Sequence, residues 1–234
     1  MPQVTNCLAC LPPWASRWLG HRSNPPSTLP PYLVYLWSFL GAFCGLSTIQ
    51  VIFKYSSYFQ ARNVPLILPS YGASAVLVYG VPDAPLSQPR ALVGGHFLSA
   101  LIGICVTKLF SLIPPESQFQ SLRWLSASLS TSISIVVMQM TKTVHPPAGA
   151  TALLPAVDDQ VWDLSWYFLP IVLLSSTVAL VVGLVVNNVQ RQYPVFWFAP
   201  AGPGPVPLEP VSLSQEMDAP ALTKTHSADG SQEV

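Results

Sequence analysis

Long stretches of this chain contain no charged residue, and they constrain the fold more than any other feature. The clearest one is 33–53, which Lys54 ends, and 124–141 and 164–190 are similar. About 20 apolar residues cross the hydrocarbon layer as a helix, and a charge at mid-membrane costs several kcal/mol. Only 9% of the residues are charged, against about a quarter in soluble domains. The sequence therefore predicts an all-α, polytopic transmembrane helical bundle, multi-pass in a membrane whose identity stays open.

The chain divides into three parts by composition. Residues 1–31 are rich in proline and are expected to form a flexible tail, and 199–234, rich in Pro, Ser and Ala without periodicity, are expected to be disordered. The transmembrane domain is assigned to 32–198. Cys7 and Cys10 form a single C-x-x-C motif in the first tail, and without a second such motif they do not indicate a zinc site.

The membrane part is predicted to contain two copies of one unit, giving 4 to 6 membrane segments. Each unit has a long span, a short helix broken by Pro and Gly, and a second long span. The units are 33–53, 65–81 and 91–113, then 122–141, 145–157 and 164–190. Re-entrant short pieces would give four crossings. Six crossings would place Arg17, Arg22, Arg90, Lys142 and Arg191 on one side, and the positive-inside rule favours that arrangement, with both termini cytoplasmic.

The motif His145-Pro146-Pro147 is the most informative short stretch. Proline suits the first turn of a helix because it lacks the N–H that would be unpaired there. The backbone N–H groups of Ala148, Gly149 and Ala150 are expected to be free at this helix start, where the helix dipole attracts anions. Thr151 adds a hydroxyl.

The first unit offers a similar device, in which Pro69 precedes Gly72, Ala73 and Ser74. Broken helices in two halves of a membrane protein indicate a transporter binding site, so these residues are predicted to bind a small anion together with His96, an ionisable group inside a span. If protons are coupled to transport, His145 and His96 are the groups that titrate near neutral pH. The alternatives left open are that Pro and Gly only kink and pack helices, and that His96 is a neutral packing residue.

Several functions are not favoured by the composition. The formal net charge is zero, whereas nucleic-acid binding requires a basic stripe. No metal ligand set, cofactor motif or nucleophile–base set is visible, so no catalytic residue is assigned and an enzyme is the least favoured reading. The expected partners are the lipid bilayer and a small anion, with a homo-oligomer left open. A structural or assembly protein without transport is the main alternative.

Four ordered blocks resemble the HPP family of integral membrane proteins. They are 142–152 around the His-Pro-Pro motif, 71–75, 88–96, and Asn187-Asn188 with Tyr193-Pro194. The resemblance covers about 33–198. It implies four transmembrane helices and a function in transport, because some plant and cyanobacterial members are linked to nitrite. Nitrite is therefore the best single guess for the substrate.

Overall fold

The computed structural model describes residues 12–22 and 29–198. The expected disorder of 199–234 and the Cys7–Cys10 pair lie outside these residues. All regular structure within them is helical, and the expectation of an all-α membrane bundle is confirmed. The helices are α1 Pro13–Trp18, α2 Pro31–Tyr55, α3 Ser57–Gln60, α4 Ser70–Ala75, α5 Gly95–Ser111, α6 Glu116–Thr141, α7 Pro146–Val157, α8 Asp159–Leu164 and α9 Phe168–Asn187.

Four helical stretches in the described part of the chain are long and apolar enough to cross a bilayer. They are Pro31–Tyr55, Arg90–Ser111, Glu116–Thr141 and Asp159–Asn187. Short π-helical turns extend two of the helices: Val76–Gly80 continues α4, and Arg90–Gly94 leads into α5. The four membrane-spanning stretches equal the number of transmembrane helices that the family resemblance implies.

The bundle has two ends, defined by contacts among loops. At the terminal end, the Arg17 guanidinium donates to the Val189 carbonyl (2.9 Å), so the two ends of the described chain lie together. At the far end, Arg123 pairs with Asp159 at 2.5 Å. Residues 12–22 form a short helix and turn that contact 188–197.

The two short segments each connect opposite ends of the bundle. The Asn63 carbonyl accepts a bond from Gln160 at the far end (2.7 Å), whereas the Tyr79 carbonyl accepts one from Arg191 at the terminal end (2.7 Å). The second segment runs the other way, from Thr141 at the terminal end, where Arg90 donates to its carbonyl, to Ala156 at the far end.

An irregular stretch supplies the rest of each crossing. The helical part of the first segment, Ser70 to Gly80, is about 16 Å long, and α7 is about 18 Å long, so neither alone covers the roughly 30 Å hydrocarbon layer. Residues 64–69 and 142–145 precede them without helical structure. Within residues 29–198, the chain therefore passes through the bundle six times, four times as full helices, and the two units run in opposite directions.

Two glycines of α2 allow it to approach the first short segment. A Cβ on Gly41 would lie 2.8 Å from Tyr79 Cδ1, and one on Gly45 would overlap the Tyr79 hydroxyl. That hydroxyl donates to the Ala179 carbonyl in α9 (3.0 Å). The G-x-x-x-G spacing thus lets one tyrosine fill the space between α2 and α9, which is close packing of the kind expected from small residues in membrane helices.

Charge differs between the two ends. The terminal end holds Arg17, Arg22, Arg90, Lys142 and Arg191, with Asp83 as the one acidic residue among the described residues there. The far end holds four basic and four acidic residues: Lys54, Arg62, Lys108 and Arg123 with Glu116, Asp158, Asp159 and Asp163. Several terminal-end arginines bind carbonyls. Burial lowers the pKa of the Arg191 guanidinium, and the negative charge of Asp83 acts in the opposite direction by raising that pKa.

Candidate functional site

Two histidine rings from different elements meet in the interior of the bundle. His96 lies in the first turn of α5, and His145 immediately precedes α7. Their ring centroids are 5.0 Å apart and their planes are tilted by 62°. Both side chains have 0% exposure. Ionisable residues buried at membrane depth are costly and commonly mark a functional site.

The hydroxyl of Ser74 bridges the two rings. Its Oγ lies 2.7 Å from Nε2 of His96 and 2.9 Å from Nε2 of His145. Ser74 belongs to α4, so this one oxygen connects the broken helix of the first unit to the motif of the second. The bridge is the point at which the two short segments meet.

The remaining ring nitrogens also have partners. Nδ1 of His145 lies 2.8 Å from the Leu86 carbonyl, and since a carbonyl can only accept, this nitrogen carries a proton. Nδ1 of His96 lies 2.7 Å from the Thr151 hydroxyl. Thr151 in turn donates to the Ser70 hydroxyl at 2.9 Å. We call Ser70, Ser74, His96, His145 and Thr151 the histidine cluster.

An aromatic ring closes one face of the histidine cluster. Tyr71 stacks on His96 with a centroid distance of 4.5 Å and an interplanar angle of 17°. Its hydroxyl donates to the Val172 carbonyl (2.7 Å), so the Ser176 hydroxyl, also 2.7 Å away, donates to it. Through Tyr71, α9 fixes the position of the ring that covers His96.

Two adjacent glycines allow the motif to approach α5. A Cβ on Gly94 would lie 3.0 Å from Thr143 Cγ2, and one on Gly95 would lie 2.8 Å from the Thr143 carbonyl and 2.9 Å from His145 Cβ. Real Cβ atoms do not approach so closely. Gly94-Gly95 therefore lets the irregular stretch before α7 lie against α5, and this contact places His145 beside His96.

The structure brings together four of the residues that the sequence assigned to a binding site: His145, His96, Ser74 and Thr151. It does not bring Gly72 and Ala73 to the histidine cluster, because both are exposed on another face of α4. An α-helix completes one turn every 3.6 residues, so residues three or four positions apart share a face. Ser70, Tyr71 and Ser74 therefore face the interior, while Gly72 and Ala73 lie on another face.

The expectation of free N–H groups at the start of α7 is not met at Ala148. Pro146 and Pro147 have no N–H, and the Ala148 N–H donates to the His145 carbonyl at 2.9 Å. The Ala148 N–H is therefore not available to a bound anion.

Several members of the site were not assigned from sequence. Ser70 and Tyr71 carry a helical-spacing signal, since they lie four and three residues before Ser74. The Leu86 carbonyl and Ser176 carry none, because a backbone carbonyl in a loop and a serine in an apolar helix have no distinguishing pattern. Asn187 in α9 donates to the Val78 carbonyl (3.0 Å), which joins α9 to the first short segment.

No acidic side chain lies near the histidine cluster within the described residues. Asp83, Glu116, Asp158, Asp159 and Asp163 all occupy the bundle ends or the loops there. Within the same residues, no three His, Cys, Asp or Glu side chains are grouped as metal ligands. The histidine cluster is therefore an uncharged or cationic polar region surrounded by apolar residues.

One pair in the histidine cluster has the geometry of a nucleophile and its base. Ser74 Oγ and His145 Nε2 are 2.9 Å apart, and the Leu86 carbonyl orients the other side of the ring. No sequence pattern indicates such a pair, because the two residues are 71 positions apart. The hydroxyl is shared with His96, and Ser74 has 1% exposure.

Comparison with known proteins agrees with this description. The profile of the family "HPP, transmembrane region" matches residues 27–194. Two proteins from Dictyostelium discoideum, each named only as a transmembrane protein, are 35% identical over 78% of this chain and 36% identical over 69% of it.

The matched parts are 62% and 50% of those relatives, so the chain spans between half and two thirds of their length. No solved structure is significantly similar. The four-helix bundle, the buried His145 motif and the match over most of the membrane region together show that the chain belongs to the HPP family of multi-pass integral membrane proteins.

Proposed function

We propose that this protein transports a small monovalent anion across a membrane, and that the anion binds at the histidine cluster. The observation that carries the proposal is the Ser74 hydroxyl, which lies 2.7 and 2.9 Å from two fully buried histidines where the two broken segments meet. Sites of this kind, at the junction of oppositely directed repeats, hold the substrate in many secondary transporters.

The chemistry of the histidine cluster favours an anion over a cation. Its side chains are hydroxyls and imidazoles, which donate hydrogen bonds and, for a protonated imidazole, supply positive charge. Carboxylates, the usual partners of a transported cation, lie outside the cluster among the described residues. Nitrite is the best single guess within this class, because of the resemblance to family members linked to nitrite.

Uptake into vesicles tests the proposal. The purified protein is reconstituted into liposomes, and uptake of nitrite is measured beside nitrate, chloride and formate. We expect His145→Ala to reduce uptake at least tenfold while His21→Ala, a histidine of the terminal end outside the histidine cluster, leaves it unchanged. Circular dichroism and gel filtration check that both variants fold. Equal uptake by His145→Ala and the unchanged protein would contradict the proposal.

A structural or assembly role is the second candidate, and one observation favours it. Every ring nitrogen in the histidine cluster already has a hydrogen-bond partner within the protein, so the cluster could serve only to join the broken segments. That role predicts no uptake of any of the four anions, together with a lower thermal stability for His145→Ala. The uptake experiment therefore separates the two candidates.

We assign no catalytic reaction to Ser74 and His145. Ser74 has 1% exposure and its hydroxyl contacts two rings, so a substrate would first have to displace one of them. We expect p-nitrophenyl esters of short acids to be hydrolysed no faster by the purified protein than by its Ser74→Ala variant. A rate that falls with that substitution would favour an enzyme instead.

A further inference from the structure

The polar groups of the histidine cluster form one continuous hydrogen-bonded series. It runs from the Ser70 hydroxyl through Thr151, His96, Ser74 and His145 to the Leu86 carbonyl, and its five contacts measure between 2.7 and 2.9 Å. The five side chains have at most 2% exposure. The donors and acceptors along this series determine how many protons its side chains carry.

Counting donors from the two ends gives one proton count for each direction of the series. The Leu86 carbonyl requires a proton on Nδ1 of His145. Thr151 donates to Ser70, so its oxygen accepts from Nδ1 of His96. A neutral His96 then has a bare Nε2, 2.7 Å from Ser74 Oγ, which accepts the single Ser74 proton; the Ser70 carbonyl shares this proton at the longer distance of 3.1 Å. The remaining contact, between Ser74 Oγ and His145 Nε2, needs a proton on that nitrogen. With Thr151 donating to Ser70, every contact of the series is satisfied when His145 is an imidazolium.

With one proton fewer, the series is satisfied in the reverse direction. Ser70 then donates to Thr151, Thr151 to His96, His96 to Ser74, Ser74 to His145, and His145 to the Leu86 carbonyl, with both rings neutral. A proton that arrives at the Ser70 hydroxyl converts this state into the first one. Each intermediate group receives one proton from one side and passes one to the other, so the positive charge appears on His145 and no bond between heavy atoms changes.

The charged state lacks an internal counter-ion. The titratable groups that the described residues place against the two rings are each other and Tyr71, whose proton is donated to the Val172 carbonyl. Arg90 binds the carbonyls of Thr141 and Phe198 at the terminal end. An isolated buried charge is strongly unfavourable, so the proton is stably held only when a bound anion neutralises it.

We propose that the protein carries each anion together with one proton, which the series from Ser70 delivers to His145, so that transport is electroneutral. This inference rests on the proposed function and adds the co-substrate. The empty site is neutral, and the loaded site contains an imidazolium and a monovalent anion. Proton and anion therefore bind and leave together.

Nitrite uptake and lumenal pH are measured together in the same liposomes, with pyranine inside and the membrane potential set by K⁺ and valinomycin. Vesicles without protein give the passive entry of nitrous acid, which is subtracted. We expect one proton to enter with each nitrite. A potential of 100 mV, negative inside, leaves the accumulation ratio of an electroneutral pair unchanged but lowers that of an anion moving alone by about 50-fold.

Each outcome bears on a different statement. Nitrite entry without proton entry, reduced by the potential, would overturn the coupling and leave the proposed function intact. No entry of nitrite, nitrate, chloride or formate would overturn both. The wild-type stoichiometry decides the coupling without any variant.

A matched pair of serine variants tests the relay itself. Ser74→Ala keeps both rings but interrupts the series, and we expect the entry of nitrite and of protons to fall together at least tenfold. Ser130→Ala replaces another fully buried serine outside the histidine cluster, and we expect both rates to stay unchanged. A Ser74→Ala protein with unchanged one-to-one entry of protons and nitrite would show that protons reach the site by another route.

Discussion

Gly95 and His145 are in direct contact across two units of the fold, and a Cβ built on Gly95 would lie 2.9 Å from Cβ of His145. The same atom would lie 2.8 Å from the Thr143 carbonyl. Glycine at this position is a condition for placing the His-Pro-Pro motif beside His96. The contact therefore connects packing in α5 to the geometry of the histidine cluster.

Gly95→Ala is expected to displace the stretch before α7 and to reduce anion uptake at least tenfold. Overpacking of this kind costs about 1–3 kcal/mol, so the midpoint of thermal unfolding in detergent also falls. Gly72→Ala is the matched control, because no atom lies within 4 Å of its Cβ. Replacing a helical glycine that has free space stabilises by about 0.4–1 kcal/mol. Equal melting temperatures and uptake for the two variants would contradict the role of Gly95.

Tyr71→Phe keeps the ring over His96 but removes the hydroxyl that donates to the Val172 carbonyl. The Ser176 hydroxyl also loses its acceptor. A buried polar group left without a partner costs about 1–3 kcal/mol, so we expect a clear fall in thermal stability. Tyr35→Phe is the control, because Tyr35 has 71% exposure, and its melting temperature should not change. An unchanged melting temperature for Tyr71→Phe would show that the hydroxyl does not hold α4 to α9.

Much of the fold can be predicted from the sequence because the bilayer imposes simple rules. Uncharged runs such as 33–53 and 164–190 coincide with helices long enough to cross it. Pro69 directly precedes the first short helix and Pro146 begins the second, since proline is favoured at the start of a helix. The five basic residues predicted to share one side all lie at the terminal end, because charge is excluded from the hydrocarbon.

The site could be predicted only in part, because its contacts are long-range. The His145 motif and His96 were identifiable as unusual residues at membrane depth. The sequence could not show that Ser74 contacts both rings or that Leu86 orients His145, since those contacts join residues far apart in the chain. It also suggested free N–H groups in α7, but the Ala148 N–H donates to the His145 carbonyl three residues earlier.

Ser130→Ala is expected to leave stability unchanged or to raise it. Ser130 has 0% exposure, and its Oγ has no hydrogen-bond partner within the described part of the chain. Removing a buried, unpaired hydroxyl removes a desolvation cost. Ser134 is one turn away on the same helix, and its hydroxyl lies 2.5 Å from that of Ser99. Ser134→Ala should lower the unfolding midpoint, and the opposite order of the two variants would contradict these assignments.

Arg191→Lys is expected to destabilise the terminal end. The guanidinium of Arg191 donates to the carbonyls of Tyr79 and Val34 and to the Ser38 hydroxyl, which joins α2 to the first short segment. An ammonium group cannot reproduce this planar set of donors, and bonds from charged groups contribute about 1.5–3 kcal/mol each. Arg17→Lys is the control, because Arg17 makes an exposed bond to the Val189 carbonyl. We expect a lower unfolding midpoint for Arg191→Lys than for Arg17→Lys.

The six-pass path predicts opposite sidedness for the two loops that flank the first short segment. Gln60 lies at the far end and Asp83 at the terminal end, because the segment between them crosses the bundle. Single cysteines at these positions, in a protein whose own cysteines are replaced by serine, are labelled in sealed vesicles with a membrane-impermeant maleimide. We expect one of the two to react before detergent is added and the other only afterwards. A re-entrant segment would return the chain to its starting side, so that both cysteines would react together.

The five basic residues further predict that the Asp83→Cys side is cytoplasmic. Labelling of that site from outside intact cells would contradict this orientation while leaving the six-pass path unaffected.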